Sequence, residues 1–251
     1  VLAEVLFKGV KADGSGVQVI GVPKTIDGDL QIGDLLPISF GFDTATKIYA
    51  EVAGNILQDT RSSLKYWHFI KLMGRSASHV AIEVALQVKP AVCIISEEVA
   101  EKKMSLAAIV EQIAQTVVLR SKKGMNYGVV LIPEGLIEFI PEMNTLIAEL
   151  NDQLAHHADA FAALADAAKA GFIQSKLSAT NAALLGSLPD YVVKMLLADR
   201  DSHGNLQVSL IPTEQLLVDM VKARVKQIEA AVPFAAHCHF LGYEGRCGAP
   251  T

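Results

Sequence analysis

The sequence predicts an α/β fold with a doubly wound, mostly parallel sheet and a mainly helical insertion. Two observations favour this class. Through residues 1–140, short apolar runs alternate with helical patterns at the spacing of parallel β-α-β units. Residues 141–232 are helical in character and rich in alanine, after which a short apolar run returns to strand character. In such sheets, ligands bind beyond the carboxyl ends of the strands, so functional residues are expected in the loops that follow strands.

The predicted strands are short and apolar, as expected for strands that are buried inside a parallel sheet. The first runs into a loop that contains Pro23 and Gly28, and the second ends at Gly74. The fourth is closed by the sequence PEG at residues 133–135. In chain order, the predicted strands are residues 17–22, 67–73, 91–96, 127–132 and 238–241.

Two long helices are predicted from apolar residues that recur every three to four positions, with suitable residues at their ends. The first begins at Asp43, a good N-cap residue. The second runs from Ser105 through Arg120, and Gly124 stops it. The buried face of the first helix is predicted to be Ala45, Ile48, Val52 and Ile56.

The remaining helices follow the same pattern. One covers residues 79–88, and another covers residues 213–232. Between them, residues 142–200 are predicted to be helical, with breaks at Gly171 and near Pro189.

Composition excludes several classes of function. With 251 residues, of which 51% are hydrophobic and 20% charged, the chain is long enough for one large or two smaller globular domains. Lys and Arg number 22 against 27 Asp and Glu, which gives a net charge of −5. We therefore expect no nucleic-acid partner and no attraction to anionic membranes. No apolar run reaches the roughly 18 residues of a membrane span.

The cysteines and the chain ends carry further expectations. Cys93, Cys238 and Cys247 form no CxxC pair, which predicts a reducing, cytoplasmic location. The chain begins without methionine, inside an amphipathic pattern, and ends directly after a candidate motif. We therefore expect it to be a fragment of a longer protein.

The most informative loop is residues 23–29, with the sequence PKTIDGD, which follows a predicted strand. Asp27 and Asp29 lie two positions apart on a loop that contains glycine, so one carboxylate can accept a proton while the other holds a divalent cation. Lys24 adds a positive charge for phosphate oxygens. Since aspartates are common in turns, the spacing by itself favours a solvated acidic turn.

Other motifs place polar side chains after strands. Arg75, in the sequence MGR, offers a guanidinium and nearby glycine N–H groups to a sugar phosphate. Glu134, in PEG, offers a carboxylate that can accept hydrogen bonds from sugar hydroxyls. Tyr243 and Arg246 offer a phenol and a guanidinium three residues apart. Each of these motifs, taken alone, is also typical of an ordinary surface.

Two further groups have a structural alternative. Lys65 and Tyr66 form a pair like that of the tyrosine and arginine above. His237 and His239 would face the same way on a strand, whereas Cys238 would point to the opposite face. Since no other Cys or His lies at a zinc-ligand spacing, the histidines are predicted to have a structural role.

Taken together and in this order, these segments resemble the phosphofructokinase family, and more narrowly its long pyrophosphate-dependent type. The resemblance covers nearly the whole chain, including the helical insertion. It implies a phosphofructokinase-like fold and a glycolytic transferase that moves a phosphoryl group reversibly from pyrophosphate to the 1-hydroxyl of fructose 6-phosphate, with Mg²⁺. The matching segments are PKTIDGD at 23–29, GFDTA at 41–45, MGR at 73–75, PEG at 133–135 and YEGR at 243–246.

By this resemblance, Asp27 is the general base for the 1-hydroxyl, and Asp29 lies close to Mg²⁺. Lys24 and Arg75 complete the expected catalytic set. Residues 65–66 match a stretch that reaches into the neighbouring subunit's site, which implies a homodimer or a higher homo-oligomer with shared active sites. The residues expected to bind fructose 6-phosphate are Thr25, Ile26, Asp27, Lys65, Tyr66, Met73, Gly74, Arg75, Glu134, Tyr243, Glu244, Gly245 and Arg246.

The resemblance also divides the chain into domains. Residues 1–60 are expected to be the end of the donor-side α/β domain with the catalytic loop. Residues 61–140 and 233–251 are expected to form the sugar-phosphate-binding α/β domain, and residues 141–232 the helical insertion. The glycine-rich donor loops of the family lie upstream of Val1. The chain alone is therefore expected to lack a phosphoryl-donor site and not to turn over.

Lys24 bears on the identity of the donor. In the familiar bacterial ATP-dependent enzymes, glycine follows the proline, asparagine replaces Gly28 and histidine replaces Tyr243. A lysine beside the transferring group can stabilise its charge without a nucleotide, which favours pyrophosphate. Some ATP-dependent relatives also carry this lysine, so an ATP-dependent 6-phosphofructokinase is an alternative.

A non-catalytic regulatory paralogue that binds sugar phosphate is a further alternative. The presence of both Asp27 and Asp29 argues against it, because a sensor needs no base. A generic nucleotide-binding module is disfavoured because no GxGxxG or P-loop follows a strand.

Overall fold

The first predicted strand, residues 17–22, falls largely outside the part of the chain that the structure describes. Only Ile20 and Gly21 of it are described, and they belong to no helix or strand. The amphipathic pattern at the start of the chain also lies outside. The computed structural model of the chain describes residues 20–21, 24–30, 39–157, 160–161, 163–197 and 210–247.

One four-stranded sheet organises the described residues, and all its neighbouring strands are parallel. Its order is β2-β3-β1-β4, and Leu72 lies opposite Pro133 on one side and Leu241 on the other. The carboxyl ends of the three longer strands therefore meet along one border, here named the carboxyl edge; the opposite border is the amino edge. The strands are β1 (Tyr66–Leu72), β2 (Val92–Cys93), β3 (Tyr127–Pro133) and β4 (Ala236–Leu241).

Helices connect the strands and cover the sheet. A 3₁₀ turn, Tyr243–Arg246, follows β4 after one residue. In the described ranges there is no helix with both the length and the apolar character that crossing a bilayer requires. The α-helices are α1 (Phe42–Ser63), α2 (His79–Val88), α3 (Ser96–Glu101), α4 (Leu106–Ser121), α5 (Leu136–Phe139), α6 (Pro141–His156), α7 (Asp166–Gln174), α8 (Ala179–Ser187), α9 (Asp190–Leu196) and α10 (Thr213–Ile228).

The side chains of β1 alternate between two hydrophobic cores, one on each face of the sheet. Ile70 and Leu72 pack in the core beneath α1 and α2. Trp67 and Phe69 pack in the larger core beneath α4 and the helices that follow β3. All four side chains are fully buried, and such burial stabilises the fold by about 1.5–3 kcal/mol for each aliphatic or phenyl group. A parallel sheet covered on both faces confirms the predicted doubly wound α/β class.

Helix α1 begins two residues earlier than its capping signal suggests. The predicted N-cap, Asp43, is wrong: Gly41 occupies that position in a left-handed conformation, and Asp43 lies in the first turn. The predicted buried face is also displaced. Ala45, Tyr49 and Ala53 are fully buried, whereas Ile48, Val52 and Ile56 are only half-buried at its border. The two alanines allow the helix to lie close to the sheet, which the larger side chains would prevent.

Strand β2 is shorter than predicted. Regular pairing with β3 covers only Val92 and Cys93, although the Ile94 N–H still donates to the Leu131 carbonyl at 3.0 Å. The backbone then turns away, because the Ser96 N–H donates to the Ser78 hydroxyl at 2.9 Å instead of to β3. Helix α3 begins at that serine.

Several of the remaining boundaries differ from those predicted: α6 ends at His156, α7 ends at Gln174, and α10 ends at Ile228 rather than at residue 232. The predicted break at Gly171 is wrong, because this glycine lies inside α7. Glycine costs about 1 kcal/mol in a helix relative to alanine, and the full burial of Ile173 outweighs that cost. The predicted break near Pro189 is confirmed, since it separates α8 from α9. The division of the chain into three domains stays a prediction.

Candidate active site

The carboxyl edge carries most of the residues that the sequence singles out. Three adjacent strands end there, and a predicted motif follows each of them. β1 runs into Met73, Gly74 and Arg75; β3 runs into Glu134; and β4 runs into the turn at 243–246. The topology therefore brings together segments that are far apart in the sequence, as the rule for doubly wound sheets predicts.

Asp27 is connected directly to the end of β1. Its side-chain Oδ2 accepts a hydrogen bond of 3.3 Å from the Arg75 backbone N–H. Its own backbone N–H donates to the Thr25 hydroxyl at 3.1 Å, which closes a local turn. Ile26, between them, is 5% exposed and packs in the core beneath α1. The loop is thus anchored by an apolar residue while the neighbouring carboxylate faces the site.

The loop requires glycine at position 28 because of its backbone conformation and its close neighbours. The φ of Gly28, +74°, lies in the left-handed region, and a Cβ would stand 3.1 Å from the ring of Phe42 and 3.4 Å from the Cβ of His79. A side chain here would meet both a conformational penalty and a crowded neighbourhood. Asp29, one residue further on, is exposed, as is Lys24 at the start of the described loop.

The ends of β1 and β3 approach each other more closely than side chains would permit. A Cβ on Gly135 would lie 1.9 Å from the Arg75 carbonyl oxygen, so only glycine fits. The Gly135 N–H donates to the Gly74 carbonyl at 3.2 Å, and the Glu134 N–H donates to the Leu72 carbonyl at 2.9 Å. These bonds extend the ladder past the strands and fix the backbone of both motifs.

Glu134 is the most deeply buried carboxylate of the carboxyl edge, with 7% exposure. Burial raises the pKa of this carboxyl, and the negative charge of Asp27 adds to that effect. Lys71, Arg75 and the N–H of Gly74 lower the pKa of Glu134 and so oppose the increase. A carboxylate in such a place can accept hydrogen bonds from the hydroxyls of a bound ligand.

The side chain of Arg75 is exposed and faces an open cleft of about 720 Å³. Its Nη2 lies 3.6 Å from Oε1 of Glu138, a solvent-accessible pair that is worth little to stability. The guanidinium is therefore accessible to an anionic ligand, while its backbone N–H binds Asp27.

The turn after β4 is held by helix α1. The Tyr49 hydroxyl donates to the Gly242 carbonyl, and a Cβ on Gly245 would lie 2.5 Å from the Tyr49 ring. The Glu244 carboxylate accepts from the Gly242 N–H at 2.7 Å, inside its own turn. Tyr243 is left 72% exposed. The side chain of Arg246 is not among the described atoms.

Lys65 and Tyr66 do not lie with the other predicted residues. They stand at the amino edge, six residues of β1 away from Leu72, which is about 20 Å along an extended strand. Tyr66 has a φ of +75° and Leu64 a φ of +56°, both in the left-handed region. The Lys65 ammonium lies 5.5 Å from the centroid of the Tyr66 ring. Within one chain, this pair therefore cannot reach the carboxyl edge.

The amino edge also holds a histidine cluster of which the sequence indicated only two members. His68 of β1 joins His237 and His239 of β4, as the register of the two strands requires. Its Nδ1 lies 2.8 Å from Nε2 of His239. The prediction that His237 and His239 share a face is confirmed by these contacts. A sequence signal for this cluster exists: β4 has histidines two positions apart, and the neighbouring strand β1 also contains a histidine.

No group of three or more His, Cys, Asp or Glu side chains suited to a metal ion occurs among the described residues. Mg²⁺ is commonly held by one or two carboxylates together with substrate phosphates, and the exposed Asp29 fits that mode of binding.

A parallel sheet with carboxylates and cations gathered at its carboxyl edge is typical of a ligand-binding α/β protein. More particularly, the chain belongs to the phosphofructokinase family, whose profile matches residues 5–187. This membership confirms the resemblance that the five sequence segments carry.

Similar proteins extend the match beyond that range. The pyrophosphate–fructose 6-phosphate 1-phosphotransferase of Entamoeba histolytica is 51% identical over 250 residues, which are 99% of this chain and 46% of that protein. The protein of the same name from Porphyromonas gingivalis is 52% identical, over 94% of this chain and 44% of that protein. The beta subunit of this phosphotransferase from Ricinus communis is 46% identical, over 98% and 44% respectively. The chain thus spans less than half the length of these curated relatives.

Proposed function

We propose that the protein carrying this chain transfers a phosphoryl group from pyrophosphate to the 1-hydroxyl of fructose 6-phosphate, giving fructose 1,6-bisphosphate in a reversible reaction. The observation that carries the proposal is the bond from the Arg75 N–H to the Asp27 carboxylate, which joins the acidic loop to the end of β1. The similarity to phosphotransferases of this specificity supports the substrate and the donor.

Asp27 acts in this proposal as the general base. The 1-hydroxyl oxygen attacks the terminal phosphorus of pyrophosphate, its proton passes to the Asp27 carboxylate, and the bond from that phosphorus to the bridging oxygen breaks to release orthophosphate. Such a base contributes about 10²–10⁴ in rate. Most of the remaining rate enhancement comes from positioning and charge neutralisation, which are the chief requirements of phosphoryl transfer.

The sugar phosphate is proposed to bind along the carboxyl edge. Glu134 would accept hydrogen bonds from the sugar hydroxyls, and its burial excludes competing water. Tyr243 would bind the 6-phosphate, since its phenol is exposed beside the site. The other residues proposed for this substrate are Thr25, Ile26, Met73, Gly74, Arg75, Glu244, Gly245 and Arg246.

Lys24 and Arg75 are proposed to neutralise the transferring phosphoryl group, which suits a donor that brings no nucleotide. Asp29 would hold the Mg²⁺ ion, which when bound offsets charge on the phosphate oxygens. We also propose the cytoplasm as the location, from the unpaired cysteines.

A homodimer or a higher homo-oligomer with shared active sites is proposed from Lys65 and Tyr66. Their distance from the carboxyl edge supports a role in a neighbouring subunit's site rather than in their own. Subunit mixing tests this idea. Asp27→Asn protein and Tyr66→Ala protein should each be nearly inactive, and their refolded mixture should regain up to about a quarter of wild-type activity. No recovery in hybrids verified by mass spectrometry would contradict shared sites.

The function itself is tested by a coupled assay on the full-length protein that carries this sequence, with fructose 6-phosphate, Mg²⁺ and either pyrophosphate or ATP. Activity with pyrophosphate alone is expected. Activity with ATP alone would retain the acceptor site but overturn the donor, and activity with neither would favour the regulatory paralogue.

The role of Lys24 is tested by Lys24→Ala, with Lys123→Ala as a control at another exposed lysine. We expect kcat with pyrophosphate to fall by about 10–100-fold because a charge beside the transferring group is lost. The control should match wild type. A change confined to the KM for fructose 6-phosphate would contradict this role.

A further inference from the structure

Lys71 is a buried lysine in the strand that leads into the active site. It is 2% exposed, although it carries a charge, and it lies next to the carboxyl end of β1 among apolar residues. The alternation of β1 directs it to the face that holds Trp67 and Phe69. A charge that is removed from water must be paired and hydrogen-bonded, so its partners are informative.

Two of its partners come from the helical part of the chain. The Lys71 Nζ donates to the Ile211 carbonyl at 2.9 Å and lies 3.0 Å from Oε2 of Glu214, at the start of α10. Its third neighbour is the ring of Phe240 on β4, with the centroid 4.6 Å from Nζ. The ammonium is therefore fixed in one place by groups that lie outside the substrate site.

The sheet register places this fixed charge on the same face of the sheet as Glu134. Lys71 pairs with Ile132 of β3, and strand alternation places the side chain of Glu134, two residues later, on that same face. The other charged groups that face Glu134 are Asp27, which has the same sign, and Arg75, whose side chain is exposed and paired with Glu138. Lys71 is thus the buried cation that opposes the effects of burial and of Asp27 on this carboxyl.

We propose that Lys71 is a positioning residue for fructose 6-phosphate binding: held by Glu214 and the Ile211 carbonyl, it keeps Glu134 in the acceptor-only carboxylate form. The inference rests on the proposed function in that it takes Glu134 to bind the sugar hydroxyls. It makes the start of α10 a determinant of substrate affinity, although no residue of that helix is proposed to touch the substrate.

The experiment compares Lys71→Met, Lys71→Arg and the double variant Lys71→Met/Glu214→Gln in the full-length protein. The double variant removes both buried charges with little change in volume, so it remains informative if the unpaired Glu214 unfolds the single variant. For each variant, kcat and KM for fructose 6-phosphate are measured from pH 6 to pH 9, and folding is checked by circular dichroism.

Without Lys71, the pKa of Glu134 rises, so the carboxylate form is reached only at higher pH. We expect the acid limb of kcat/KM to be displaced by about one pH unit, so that kcat/KM falls by up to about tenfold on that limb and recovers by pH 9. Lys71→Arg keeps a positive charge and should retain the wild-type acid limb. The phosphate of the substrate titrates identically in all variants and cancels in the comparison.

A loss of equal size at every pH, or an unshifted acid limb in the folded double variant, would overturn the proposal. A second readout separates it from the proposed function. The Glu134 carboxyl is titrated without substrate by ¹³C nuclear magnetic resonance and assigned with Glu134→Gln. If wild-type protein is inactive with both donors, the function fails, yet this titration still decides whether Lys71 sets the ionisation of Glu134.

Discussion

The two edges of the sheet are built on different principles. At the carboxyl edge, backbone groups make the main contacts. The Arg75 N–H donates to the Asp27 carboxylate, and the Gly135 N–H donates to the Gly74 carbonyl at a position where no side chain fits. At the amino edge, aromatic and imidazole rings pack against one another, and the Tyr66 ring stands 4.7 Å from that of His237.

This difference indicates which edge is preorganised by contacts within one chain. Backbone hydrogen bonds fix the groups of the carboxyl edge before any ligand arrives, which is the preorganisation that catalysis needs. The amino edge presents left-handed residues and partly exposed rings, which are typical of a segment that the surrounding structure must hold. It is the edge that we expect to depend on a second subunit.

The largest expected effect is at the carboxyl edge. Asp27→Asn is nearly isosteric and should lower kcat by about 10²–10⁴ while the protein stays folded, because the amide cannot accept the proton. Steady-state kinetics and circular dichroism of the full-length protein measure this. Asp43→Asn, at an exposed aspartate of α1, is the control and should retain wild-type kcat. Near-normal kcat in Asp27→Asn would remove this residue from the mechanism.

Gly135→Ala tests the close approach of β1 and β3. The added methyl group would clash with the Arg75 carbonyl oxygen, a backbone atom that cannot rotate away. We therefore expect the free energy of unfolding to fall by at least about 1–3 kcal/mol. The matched control is Gly171→Ala, where nothing lies within 4 Å and helix propensity should add about 0.5–1 kcal/mol. Denaturant unfolding measures both, and equal stability of the two variants would contradict the structure.

Tyr49→Phe tests how α1 supports the turn that carries Tyr243. Loss of the buried bond to the Gly242 carbonyl should cost about 1 kcal/mol of stability and raise the KM for fructose 6-phosphate several-fold, with kcat little changed. Tyr127→Phe, at the start of β3, serves as the control. If kcat fell while KM stayed constant, the turn would have a role other than binding.

The smallest expected effect concerns the amino edge and pH. Burial lowers the pKa of His68 from 6.5 to about 4, and the neighbouring histidines His239 and His237 add to the decrease. Since the unfolded chain binds a proton at pH 6.5 that the folded chain does not, stability is fully present above pH 6.5. It is lost as the pH falls towards 4.

His68→Phe should flatten this dependence between pH 6.5 and pH 4, because the group whose pKa differs between the folded and unfolded chain is removed. Urea unfolding at several pH values measures it. A slope that persisted in His68→Phe would show that another group is responsible.

The sequence predicts the composition of the carboxyl edge better than that of the amino edge, for a physical reason. Strand ends in a parallel sheet converge, so the motifs after β1, β3 and β4 could be assigned to one border from order alone. Which atoms meet there could not be predicted, because the Asp27 bond goes to a backbone N–H of a residue 48 positions away. The buried face of α1 could not be predicted either. Whether Ala45 or Ile48 is buried depends on how closely the helix approaches the sheet.

By itself, the sequence determined the α/β class, the family and the residues of the acidic loop, because periodicity and short motifs are local and survive without coordinates. Tertiary structure alone decided that Lys71 is buried and paired with Glu214, that His68 completes a cluster with His237 and His239, and that Lys65 and Tyr66 stand at the far edge. These facts depend on strand register and on burial, and register brings together residues whose distance along the chain carries no sign of their contact.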